Sequence, residues 1–301
     1  MMASPLGFIG LGVMGGPMCR NLVTKSGLPV IAYDIRQEPL DRLAEAGARA
    51  VAGIVEVAAE ADVIFLSLPG HAELEAVGSE LLSAARRGSV VVDTSTVPVA
   101  LTRDMAARFA KQGMDYADAP VARTRAAAEA GTLAVMVGAK DAVLARIRPH
   151  LACFASDISH CGGIGAGQVG KLMNNMVLFQ SVVALSEALT IARRAGVDGE
   201  RLFETLSTGS ADSFALRNHG MKALMPGDFP ERTFSARYAL EDLRYAMQLA
   251  ADGGVAVPGA ETAASMLEAA IAAGHGDEYH PTILNVVEKR SGVSNSPANA
   301  R

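Results

Sequence analysis

The chain has 301 residues, half of them hydrophobic, and a formal net charge of −5. That length suits one long domain or two of ordinary size. The acidic balance, with no basic run and no basic stripe spaced by aromatics, argues against a nucleic-acid partner. Three cysteines, Cys19, Cys153 and Cys161, are an odd number without paired metal-ligand spacing. They read as reduced thiols of a cytoplasmic protein.

In chain order, Leu6–Leu11 is a short apolar run that fits a buried strand. A helix is expected over Met14–Lys25, a second strand over Pro29–Ile35 and a helix over Pro39–Ala46, closed by Gly47. Asp62–Leu68 reads as a third strand, stopped by Pro69-Gly70, and Ser89–Asp93 as a fourth. Met114–Ala119 and Leu133–Val137 are two more, with helix-like segments between them. Strands alternating with helices imply right-handed crossovers and a mainly parallel sheet. The pattern stops near Gly162-Gly163. Beyond it only helices are expected: Gly167–Ala195, Glu200–Ser207, Ala236–Ala251 and Pro258–Ala273. The fold class is therefore α/β, with a parallel-sheet domain over 1–163 and an all-α domain over 164–301. No signal stretch precedes the first strand. Leu172–Ser186 carries Asn174, Asn175, Gln180 and Ser181, too short and too polar for a bilayer span. The end of the chain, from Ser291, is small and polar and is expected to be loose.

Gly10, Gly12 and Gly15 follow the first strand and open a helix, and Asp34 ends the second strand. This spacing is that of a Rossmann dinucleotide loop. The first glycine makes the turn, the second lets the backbone approach a pyrophosphate, and the third packs helix against strand. Free N–H groups at the helix start face the phosphates. Asp34 would accept from the adenosine ribose hydroxyls and repel a 2′-phosphate, which favours NAD over NADP. Arg36 is the one nearby group able to pair with such a phosphate.

Three further stretches carry chemistry. In "VVVDTSTVP", Ser95 and Thr96 stand at the carboxyl end of a strand, where parallel sheets bind ligands. Spacing alone gives equal weight to Thr96 as a helix cap. In "DAPVARTRAAAEAG", Arg123 and Thr124 follow a strand and start a helix. Arg125 has Glu129 four residues on, whereas Arg123 has no such neighbour, and a substrate role is the better reading for it. In "GQVGKLMNN", Lys171 and Asn175 share a helix face. A lysine on an apolar helix needs a partner or a task, and a buried lysine suits proton transfer near neutral pH. Snorkelling from the helix start is the structural alternative.

With these motifs in view, the chain resembles the short β-hydroxyacid dehydrogenases, which include 3-hydroxyisobutyrate dehydrogenase, tartronate semialdehyde reductase and sulfolactaldehyde reductase. They are relatives of 6-phosphogluconate dehydrogenase. The likeness runs from about Leu6 to Val287. It implies that Gly10, Leu11, Gly12, Val13, Met14, Gly15, Asp34, Leu68, Pro69 and Thr96 hold NAD. It also implies Lys171 as general acid/base and Asn175 as its positioning partner. Ser95, Thr96, Arg123, Thr124 and Asp242 would meet a small acidic substrate.

Two departures stand out. The family usually has Ser-Gly-Gly where this chain has Ala122-Arg123-Thr124, which is similar to the arginine–threonine pair that receives a sulfonate in sulfolactaldehyde reductase; Arg125 replaces that enzyme's serine. The family's Lys-Asp-Leu is here Glu241-Asp242-Leu243, a lost positive charge that Arg237 or Arg244 could replace from the same helix face. Leu178 stands where long sugar-phosphate decarboxylating relatives carry an acid. The resemblance implies an NAD-dependent interconversion of a 3-hydroxy acid, or hydroxy sulfonate, and its semialdehyde. The long helix around Lys171, apolar on nearly every side, suggests a subunit interface and so a homodimer or homotetramer. The rival readings are imine reduction, which Lys171 speaks against, and a non-catalytic dinucleotide-binding protein.

Overall fold

The computed structural model describes residues 4–231 and 233–292. Most of the tail expected to be loose lies outside them. Contacts divide the chain into two compact units, one ending at Lys171 and one starting at Leu172. This division falls inside a helix, beyond the glycines at 162 and 163.

The first unit is built on a nine-stranded sheet. Its elements alternate: β1 (Leu6–Ile9), α1 (Gly15–Lys25), β2 (Val30–Tyr33), α2 (Gln37–Glu45), β3 (Arg49–Ala50), α3 (Ile54–Glu60), β4 (Val63–Leu66) and α4 (His71–Ala84) come first. They are followed by β5 (Val90–Asp93), α5 (Val99–Lys111), β6 (Asp115–Asp118), β7 (Val121–Ala122), α6 (Arg125–Ala130), β8 (Leu133–Gly138), α7 (Asp141–Leu151) and β9 (Ala155–Gly162). The strand order is β3-β2-β1-β4-β5-β6-β8-β7, with β9 beside β8. Strands β3 to β6 are parallel. The order reverses between β1 and β4, and there the carboxyl ends open a crevice for a ligand.

Both sheet faces are covered, so the strands are continuous apolar runs. Phe8, Phe65, Val90 and Val92 pack on one face, Ile9, Ile64, Leu66 and Val91 on the other. The sheet is mainly parallel, as the alternation of strands and helices implies, and turns antiparallel at its far edge. Strand β8 runs antiparallel to β6 and β7. The unexpected strand β9, ASDISHCG, is mostly exposed and pairs β8 at the edge. Its polar outer residues give no buried-strand signal.

The helix α8 (Ala166–Arg194) is 29 residues long and runs through the division. By length and composition it could cross a membrane, contrary to the expectation from its apolar middle alone. Half of its most apolar stretch is buried within the protein, as in a core helix. The second unit continues with α9 (Gly199–Ser207), a π-helical turn over Leu216–Leu224, α10 (Ala236–Asp252), α11 (Pro258–Ala270) and α12 (Ile283–Arg290). Phe179, Leu189, Phe203, Leu216, Leu243 and Leu267 form its core.

That core encloses an ionisable ring. His280 is 1% exposed, and neither ring nitrogen has a hydrogen-bond partner among the described residues. Phe179, Phe234, Tyr279 and His219 surround it at centroid distances of 4.9–5.5 Å. Burial, and then neighbouring His219, hold its pKa well below the ordinary 6.5. A depressed histidine contributes stability above the unfolded value and loses it as pH falls below about 6.5, because the unfolded chain then binds the extra proton. His280→Phe should remove two unsatisfied polar atoms and stabilise by on the order of 1–3 kcal/mol. Thermal melts should show a higher Tm and a weaker loss of stability between neutral and mildly acidic pH. A lower Tm for the variant would show that the ring is satisfied after all.

Candidate active site

The glycine turn at the end of β1 has the shape its spacing implies. Gly10 has φ +92°, and a Cβ there would overlap the Ser67 carbonyl oxygen. A Cβ at Gly15 would overlap the carbonyl oxygen of Gly10, so this glycine lets α1 pack onto the turn. Gly12 is different: a Cβ there would meet nothing within 4 Å. The protein itself does not need that glycine, whereas a pyrophosphate passing over it would. Helix α1 has no side-chain cap and no acid in its first turn, which suits it to an anion.

Asp34 ties the second strand to this turn. One carboxylate oxygen accepts from the Leu11 N–H at 2.6 Å. The other accepts from the Arg36 N–H at 2.9 Å and its Nε at 3.2 Å. Burial pulls the Asp34 pKa up, but the Leu11 and Arg36 donors outweigh it and hold the carboxyl below its ordinary value. Asp34 is therefore ionised at neutral pH, and Arg36 is paired to it. These residues fit a bound dinucleotide.

The loops after β4 and β5 are joined by hydrogen bonds. The Leu68 N–H donates to Ser95 Oγ at 2.9 Å, and Pro69 is exposed beside it. The Ser95 N–H donates to Asp93 Oδ1 at 2.9 Å, while the Tyr116 hydroxyl donates to Asp93 Oδ2, also at 2.9 Å. Burial raises the Asp93 pKa to about 6. Thr96 is half-buried, and α5 starts from Pro98 with no side-chain cap. The capping alternative for Thr96 is not what the structure shows.

Arg123 has partners beyond helical spacing: its guanidinium donates to the Thr132 carbonyl at 2.6 Å and Ser156 Oγ at 2.8 Å. It also pairs with Asp157 at 2.7 Å. Its backbone has φ +88°, the left-handed region where glycine is at ease. Thr124 caps α6 by accepting from the Ala127 N–H at 3.3 Å, and Arg125 pairs with Glu129 at 2.9 Å, as its spacing implied.

Lys171 is 9% exposed, in the second turn of α8. Asn175, one helical turn further on, is 1% exposed. Within the second unit, the Asn175 side-chain nitrogen donates to Asp242 Oδ2 at 2.7 Å, and its oxygen accepts from the Asn174 side chain at 3.0 Å. Asp242 thus acts on Asn175 directly, a partnership the spacing of 67 residues hid. Of the α10 arginines flanking the position of the lost lysine, Arg237 pairs with Asp277 at 3.2 Å and Arg244 with Glu268 at 2.9 Å. Glu241 accepts from the Tyr245 hydroxyl.

Residues 5–163 match the family model for the NAD binding domain of 6-phosphogluconate dehydrogenase. Residues 165–287 match the NAD-binding domain of NADP-dependent 3-hydroxyisobutyrate dehydrogenase. The chain belongs to the 3-hydroxyisobutyrate dehydrogenase family. It is 38% identical over 292 residues to 2-(hydroxymethyl)glutarate dehydrogenase of Eubacterium barkeri, covering 96% of each chain. The structure of 3-hydroxyisobutyrate dehydrogenase of Mycobacterium tuberculosis, solved with L-serine, superposes with a TM-score of 0.88. Identity there is 33%, over 95% of this chain and 99% of that one. An imine reductase of Myxococcus stipitatus shares the fold at 18% identity and a TM-score of 0.65. The family is one of NAD(P)-dependent hydroxyacid dehydrogenases, and the near relatives are dehydrogenases rather than imine reductases.

Proposed function

We propose that this family member is an NAD-preferring oxidoreductase that interconverts a small 3-hydroxy acid and its semialdehyde. The observation that carries the reading is a buried lysine placed one helical turn before a buried asparagine whose amide is fixed by an acid. Lys171 accepts the hydroxyl proton in oxidation and returns it in reduction. Asn175 has two N–H hydrogens; one goes to Asp242, and the second orients the substrate oxygen. Asp242 is read here as a positioning group for Asn175. Ser95 and Thr96 hold the substrate acid group, with the N-terminal end of α6 at Thr124. Bound NAD supplies the hydride acceptor, and the protein supplies geometry and charge.

The substrates named in the relatives narrow the class. 2-(Hydroxymethyl)glutarate and 3-hydroxyisobutyrate both carry a hydroxymethyl group on the carbon next to a carboxylate, as does L-serine. Only the remaining substituent differs. The engagement of Arg123 with Asp157 supports a carboxylate substrate over a sulfonate. The three free cysteines support a reducing compartment and a cytoplasmic enzyme. Val177 and Ile191, 59% and 69% exposed on α8, support self-association as a homodimer or homotetramer.

Cofactor choice tests the reading of Asp34. With any active 3-hydroxy acid, kcat/KM should favour NAD over NADP by at least about tenfold, equivalent to about 1.4 kcal/mol. Equal or better use of NADP would mean that Arg36 leaves Asp34 for the 2′-phosphate.

A further inference from the structure

We infer that Gln168 is a positioning residue that sets the catalytic helix in register with the Ser95–Val97 segment. The inference rests on the reading of Lys171 as the acid/base group. Gln168 has no exposed surface. Its side-chain nitrogen donates to the Ser95 carbonyl at 2.7 Å, and its side-chain oxygen accepts from the Val97 N–H at 3.3 Å. One amide therefore satisfies both a donor and an acceptor of this segment, whose other described side-chain hydrogen bonds run from Ser95 to Asp93 and Leu68.

The helix end of this link is equally fixed. Asp118, fully buried at the end of β6, accepts from the N–H groups of Gly165 at 2.7 Å and Gln168 at 2.9 Å. Negative charge is favourable at a helix N-terminus. Gly138 and Gly167 leave the room this carboxylate occupies; a Cβ at Gly167 would stand 2.8 Å from Asp118 Oδ2. Lys171 follows Gln168 by three residues, on the same side of α8. A small rotation or slide of α8 would move Lys171 away from whatever Ser95 and Thr96 hold, and Gln168 is the side chain that resists it.

Gln168→Met keeps the length and removes both hydrogen bonds. It should lower kcat by about 10- to 100-fold, the cost of a displacement near 1 Å, with KM for NAD changed less than about twofold. The primary deuterium isotope effect on kcat should rise as hydride transfer becomes slower. Ile147→Val, a core change on α7 (Ile147 is fully buried), serves as the control that lowers Tm without altering the isotope effect. Gln168→Glu gives a second readout. A protonated carboxyl can donate to Ser95 and accept from Val97 as the amide does. Its carboxylate would instead face the Ser95 carbonyl, with Asp118 and Asp93 close by. The activity of Gln168→Glu relative to wild type should therefore fall as pH rises. Wild-type kcat and isotope effect in Gln168→Met, or a flat pH ratio in Gln168→Glu, would overturn the inference. If Lys171→Ala is inactive in the same assays, only the role of Gln168 fails; if Lys171→Ala is also active, the reading of Lys171 fails with it.

Discussion

Lys171→Ala is expected to lose about 10²–10⁴-fold in kcat, the usual contribution of a positioned proton-transfer group. NADH affinity should be unchanged, since the glycine turn and Asp34 are built from β1 and β2 and their loops. Lys171→Arg should not restore turnover. The guanidinium keeps the charge but does not release a proton near neutral pH. This separates proton transfer from simple charge attraction of an acid substrate: if Arg restored kcat, charge would be the operative property. A Lys171→Ala enzyme with near-normal kcat would make the lysine structural.

Gly12→Ala should fold as the wild type does and bind NADH at least about tenfold more weakly, a loss of about 1.4 kcal/mol or more. The added methyl meets nothing within 4 Å in the protein, so any effect on binding comes from the bound dinucleotide. Gly15→Ala should behave in the opposite way. Its methyl overlaps the Gly10 carbonyl, and overpacking of this kind costs about 1–3 kcal/mol. A thermal melt and an NADH fluorescence titration on each variant separate the two roles. Wild-type NADH binding by Gly12→Ala would mean that no pyrophosphate passes over that residue.

The parts of the fold legible from the sequence are those with strong local signals. β1, β2, β4 and β5 are continuous apolar runs buried on both faces, and the glycine spacing marks the turn between β1 and α1. β9 escaped because an edge strand with exposed side chains lacks such a run. The π-helical turn over Leu216–Leu224 has no sequence signature distinct from an ordinary helix. The site was legible where its chemistry is local: Lys171 and Asn175 lie one turn apart. It was obscure where partners are distant. Asp157 follows Arg123 by 34 residues, beyond any helical spacing, so this ion pair has no local signal. Gln168 lay within a quoted motif, yet its two partners belong to a loop 71 and 73 residues away. The Thr96 capping reading failed for a different reason: α5 begins at Pro98 without a side-chain cap.

The central claim is hydride transfer from a hydroxymethyl carbon beside a carboxylate to NAD. The most direct measurement uses 3-hydroxyisobutyrate and 2-(hydroxymethyl)glutarate carrying deuterium on the hydroxymethyl carbon. Each is incubated with the protein and NAD, and the recovered dinucleotide is weighed by mass spectrometry. Deuterium is expected in the reduced nicotinamide with at least one of the two acids, together with the matching semialdehyde, and both should form at least about 10²-fold more slowly with Lys171→Ala. Tight NADH binding by the wild-type protein, with no label transferred from either acid, would contradict it and leave a dinucleotide-binding protein without this chemistry.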